Sequence, residues 1–212
     1  MDAAGVLPWL VGVAVHDGWA PYWRYQDVRH ALCGAHLLRE LEAITEEPGQ
    51  GWASGMAELL VDAKLVADRA RAGGACRVGG ATRARLHTRY QRLLADGQAA
   101  NPPPPATGQQ RGRARRSPAG RLLGRLDAHR DEVLRGLDDL RVPFTNNQAE
   151  RDLRMVKLQQ KISGCWRTLV GAEAFLAVRS YLSTARKQGL NPLDVLRRLF
   201  EGNPWLPDSA TS

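Results

Sequence analysis

A single short apolar run, Leu10–Val15, stands at the front of a chain whose remaining apolar residues recur mostly at helical spacing. That asymmetry limits the fold more than any other feature. A nearly continuous run of this length fits a strand covered on both faces. Its polar continuation, His16-Asp17-Gly18, would emerge at the C-terminal end of that strand. Ligand-binding side chains of α/β sheets commonly sit there. Asp17 therefore has two readings, a site residue at a strand end or a turn former ahead of Gly18.

The rest of the chain predicts helices. Asp27 to about Glu47 carries Val28, Leu32, Ala35 and Leu38 at helical spacing and stops at Pro48-Gly49. Met56–Ala72 closes at Gly73-Gly74, and Thr82–Ala95 ends at Asp96-Gly97. Asn101–Pro118, with four consecutive prolines and the string RGRARR, cannot build a core and reads as an exposed, extended linker. Helix resumes at Ser117-Pro118 and runs to about Leu140, followed by Gln148–Ile162 and by Ala172–Gln188 with its stop at Gly189. Asn191 as N-cap and Pro192 at the first helical position start a last short helix. The organisation expected is 1–27, strand and turn; 28–100, a helical insertion; 101–118, the Pro/Arg-rich linker; 119–203, a second helical segment; and 204–212, a disordered tail. No internal repeat is found.

A chain of 212 residues, 43% of them hydrophobic, can bury a core, and its net charge of +8 favours a polyanionic partner. Its three cysteines, Cys33, Cys76 and Cys165, are odd in number and widely spaced, which reads as reduced thiols in the cytoplasm. No apolar run approaches the roughly 18 residues of a membrane span, and the opening lacks a signal peptide's basic start.

The segment PFTNNQAERDLR places Glu150 on the first turn of a helix that continues through Arg154, Lys157 and Lys161. At 100° per residue these cations fall within roughly 40° of Glu150 around the axis. A carboxylate sharing its face with cations suits a divalent metal together with a phosphate backbone. Glu150 equally suits a capping box with Asn147 as N-cap, and the cations a solvated face. Met155, Leu158 and Ile162 line an adjoining face available for packing. Arg111, Arg113, Arg115 and Arg116 would tether DNA phosphates electrostatically. Cys33 and His36 look like half of a zinc site but lack a matching pair. No Ser-His-Asp pattern, Walker loop or dinucleotide fingerprint stands out.

HDGWAPY, HALCGAHLLRELEAITEE, the ANPPPP linker, VPFTNNQAERDLRMVKLQQKISG and RSYLSTARKQGLNP together resemble the catalytic region of insertion-sequence 66-type bacterial transposases. The likeness covers about Gly5 to Pro204. It implies a mostly α chain with a small β remnant, a truncated ribonuclease-H-like α/β fold with a helical insertion, and an Asp-Asp-Glu site for Mg²⁺ or Mn²⁺. By this resemblance Asp17 matches the second acid, Glu150 the third, and Lys157 a basic residue placed near substrate DNA. The first aspartate lies upstream in such enzymes, on the opening strand, and this chain starts too late to contain it. The expectation is a transposase fragment inactive alone, poorly soluble or in need of a partner strand, with DNA ends as its partner. Pairing with full-length transposase or with itself, as a non-catalytic DNA-binding regulator, is the alternative.

Overall fold

The computed structural model describes residues 10–103, 116–162 and 166–207. They form a mostly helical protein: strands β1 (Val13–His16) and β2 (Arg29–Leu32), and helices α1 (Gly34–Thr45), α2 (Gly51–Ala72), α3 (Gly80–Ala100), α4 (Pro118–Ala128), α5 (Arg130–Asp138), α6 (Asn147–Ile162), α7 (Leu169–Lys187) and α8 (Pro192–Phe200). The chain divides into two compact units, Met1–Asn146 and Asn147–Ser212.

In the first unit β1 and β2 run parallel, with Val13 opposite Arg29 and His16 opposite Leu32. A parallel pair needs about a dozen residues or more to bring the chain back to the same end. Residues 17–28 do this with a 3-10 turn at Ala20–Arg24 in place of a helix. The second strand corrects the expected helix from Asp27. Ala31, Leu32 and Cys33 are all buried, and a short apolar run of this kind fits a strand or a helix by spacing alone. Pairing with β1 decides between them, and the helix starts only at Gly34.

α1, α2 and α3 pack in sequence, α4 lies on α1 and α3, and α5 lies on β2 and α2. The core is the expected consequence of helical periodicity. Met56, Leu59, Leu60, Ala63 and Ala67 form one buried stripe of α2. Leu86, Tyr90, Leu93, Leu94 and Gly97 form the facing stripe of α3. Tyr90 is fully buried, and its hydroxyl donates to the Leu126 carbonyl at 2.8 Å.

Several expected boundaries move, α2 starting at Gly51 instead of Met56 among them. Asp96-Gly97 does not end α3, because Gly97 is a packing position: a Cβ there would lie 2.5 Å from Leu123 Cδ2 and 2.8 Å from Trp52 Cδ2. The helix expected from Ser117 to Leu140 is two, broken at His129 (φ −122°, ψ 37°). The start at Ser117-Pro118 holds, with Ser117 Oγ capping the helix by accepting from Gly120 N–H at 3.0 Å.

In the second unit α7 and α8 pack together. Asn191 caps α8 as the sequence indicates, accepting from Leu193 N–H at 2.9 Å. α6 is joined to α7 through Asp152, whose carboxylate takes Ser183 Oγ at 3.1 Å and Lys187 Nζ at 2.6 Å. Those bonds, that from Lys187 first, lower the Asp152 pKa below the ordinary carboxylate value. Among the described residues no helix is long and apolar enough to cross a membrane.

Candidate functional site

The turn after β1 is built from hydrogen bonds that run in one direction. Gly18 N–H donates to His16 Nδ1 at 3.0 Å, so that nitrogen must be the bare one. The ring proton of His16 therefore sits on Nε2, which faces His30 Nδ1 at 3.1 Å. His30 in turn carries its proton on Nε2 and gives it to the Tyr25 carbonyl at 3.1 Å. This arrangement keeps His16 neutral. A proton added to either bare nitrogen would set donor against donor.

Packing enforces the same state. His16 is 1% exposed, the one buried polar or charged residue among those described. Its ring stacks on Tyr22 at 4.5 Å and 19° and meets Trp23 edge-on at 4.9 Å. Burial first, then the neighbouring His30, pushes the His16 pKa down to about 4. Trp23 stacks at 3.9 Å and 11° on His129, the residue that breaks α4 from α5. Trp23 Nε1 donates to the Gly18 carbonyl at 3.4 Å. Arg135 of α5 donates through Nε to the His30 carbonyl.

Asp17 stands on this platform at the C-terminal end of β1, exposed to solvent. Its Oδ1 accepts Trp19 N–H at 2.9 Å, an Asx turn that fixes the carboxylate. Both readings of Asp17 are thus compatible, since the turn uses one oxygen. Gly18 is required by its φ of +90°, and a Cβ there would also press on Leu32 and on Arg125 Cδ at 3.3 and 3.4 Å. Arg125 of α4 therefore lies against the Asp17 turn, and its Nη2 pairs with Glu40 at 2.5 Å. His16, expected at the emerging polar end of the strand, is instead buried within it, and His30, Trp23 and Arg125 were not singled out from the sequence. Only their three-dimensional neighbours give them roles, although the aromatic run WAPYW beside Asp17 was a usable signal.

Glu150 lies in the other unit. α6 begins at Asn147, so Glu150 is its fourth residue and stays in the first turn, where the helix dipole favours a carboxylate. Glu150 is half-buried, and Arg154 and Lys161 are exposed. Lys157 belongs to the same helix, with its side chain outside the described set. Asp152, whose bonds tie α6 to α7, is roughly 200° from Glu150 around the axis, which turns the Glu150–Arg154–Lys161 stripe away from α7. Leu158, expected to pack, is 41% exposed; Met155 and Ile162 fall outside the described side chains. Arg116 is exposed just before the α4 cap, while Arg111, Arg113 and Arg115 lie outside the described residues.

Asp17 and Glu150 are hard oxygen donors of the kind Mg²⁺ prefers. Among the described residues no group of three or more His, Cys, Asp or Glu side chains is placed to hold a metal ion. Cys33 and His36 make no zinc site there either. Cys33 is buried ahead of α1, and its Sγ accepts Asn146 N–H at 3.4 Å.

Neither the curated proteins nor the solved structures yield a match to this chain. The family model described as transposase, IS66 family, matches residues 3–174. That span takes in the Asp17 turn, the helices of the first unit and the Glu150 helix, and the chain belongs to the IS66 family of transposases.

Proposed function

We propose that this transposase-derived chain engages DNA, and that Asp17 and Glu150 are the second and third acids of an Asp-Asp-Glu centre on a ribonuclease-H-like fold. The observation that carries the reading is the placement of Asp17. It is an exposed carboxylate at a strand's C-terminal end, oriented by a turn that a buried imidazole chain supports. The cations of α6 support the same reading: Arg154 and Lys161 are exposed on the Glu150 side of a helix in a chain of net charge +8. With Lys157 and Arg116 they are the proposed contacts to DNA phosphates. Mg²⁺ or Mn²⁺, when bound to such a centre, activates the attacking hydroxyl and stabilises the leaving oxygen. Two carboxylates do not complete a two-metal site.

The expected behaviour of the chain by itself is DNA binding without strand transfer. Incubation with element-end DNA and Mg²⁺ or Mn²⁺ should leave the strands uncut and unjoined. Cleavage that requires the metal and disappears in Glu150→Gln would overturn the inactive reading and make the chain an enzyme. A regulatory protein that binds DNA without catalysis is the second reading. It is favoured if Asp17→Asn leaves DNA affinity unchanged, and the exposed α6 cations are what motivate it.

A further inference from the structure

We propose that Trp19 is a nucleobase platform, its indole stacking on a base unstacked beside the phosphodiester that lies at Asp17. The inference rests on the reading of the Asp17 turn as a DNA-facing site and adds the form of DNA that it takes. Trp19 is 57% exposed. It is nonetheless held in place. Its N–H is bonded to Asp17 Oδ1, and Pro21 fixes the 3-10 turn that follows. Its ring meets Tyr22 in a T arrangement, with centroids 6.2 Å apart and planes at 75°. Tyr22 is itself stacked on the buried His16. Whichever ring supplies the edge of that T, Tyr22 covers at most one face of the indole, which is 57% exposed. A rigid aromatic face loses little conformational freedom when a planar ligand settles on it.

The neighbourhood selects the ligand. Asp17 Oδ1 accepts Trp19 N–H and the Trp19 ring meets Tyr22, so carboxylate, phenol and indole share one patch. A carboxylate repels phosphate, and an anchor that does not depend on charge is therefore useful beside it. Base stacking supplies one, because every base has a π face. Two residues of extended chain reach at most about 7 Å, the scale of a single nucleotide. A base on Trp19 would thus belong to a nucleotide next to the phosphate at Asp17. Such a base must leave the duplex stack, which is easiest at an unpaired end.

The test uses the full chain and two DNAs of equal length, one a blunt duplex and one with a single-stranded 3′ overhang carrying 2-aminopurine. Wild-type protein should bind the overhang more tightly than the blunt end and change the 2-aminopurine fluorescence. Trp19→Ala should weaken overhang binding by roughly 5- to 150-fold, the range for one stacked base, and blunt binding by less than about twofold. Trp19→Phe should keep most of the affinity. The loss should be the same at every salt concentration, since stacking releases no counterions. Equal affinity of wild type and Trp19→Ala for the overhang, or equal losses on both DNAs, overturns the platform while salt-dependent DNA binding still stands. No DNA binding by wild type at low salt overturns both. Thermal unfolding of Trp19→Ala close to wild type excludes misfolding as the cause.

Discussion

Lowering the pH from 6.5 to 4 is expected to remove on the order of 3 kcal/mol of stability through His16. In the folded chain this imidazole titrates near 4, whereas unfolded it titrates near 6.5. Between those values the unfolded state binds the extra proton and the native state does not. The contribution is therefore complete above pH 6.5 and is lost as the pH falls toward 4. The structural reason is the directed chain from Gly18 N–H through His16 and His30 to the Tyr25 carbonyl, which has no place for a second ring proton. Denaturant unfolding across this range gives the slope, and ¹⁵N NMR of the imidazoles gives the state. His16 and His30 should both show bare Nδ1 and protonated Nε2. A His16 that titrates near 6.5, or a protonated Nδ1 on either ring at neutral pH, would contradict this directed hydrogen-bond chain.

Gly34→Ala is expected to destabilise the first unit by roughly 1–3 kcal/mol, the usual range for overpacking. A Cβ at this position would sit inside the van der Waals envelope of the Phe144 ring. Gly34 N–H donates to the Phe144 carbonyl at 2.8 Å and holds that backbone in place, so the ring itself must rotate to make room. Cys33 holds the same segment through Asn146 N–H at 3.4 Å. Gly51→Ala is the natural control. It also stands at the start of a helix, but an added methyl there meets nothing within 4 Å. Unfolding curves for the two variants should differ by most of the predicted amount. Equal stability of both would show that the Phe144 segment is not packed as described.

Much of the architecture could be read from residue order, and what could not has identifiable causes. The helix start at Ser117-Pro118 and the cap at Asn191 are local chemistry and appear where the sequence puts them. Positions that depend on distant partners were missed. β2 exists because β1 pairs with it, Gly97 sits inside a helix because Trp52 and Leu123 fill the space beside it, and α4 ends at His129, whose ring stacks on Trp23. The site divides in the same way. Asp17 was legible as a carboxylate at a strand end and Glu150 as one in a helix's first turn. Their support was not, since nothing in the spacing of His16, His30 and Arg125 says that they converge on one turn.

The salt dependence of DNA affinity tests the central claim most directly. For the full chain, log K against log salt should fall linearly, with a slope near −0.9 for each phosphate neutralised. Arg154→Ala and Lys161→Ala should each make the slope shallower by about 0.9 and weaken binding on every sequence alike. No binding at low salt, or a slope untouched by either substitution, would contradict a DNA-engaging surface along α6.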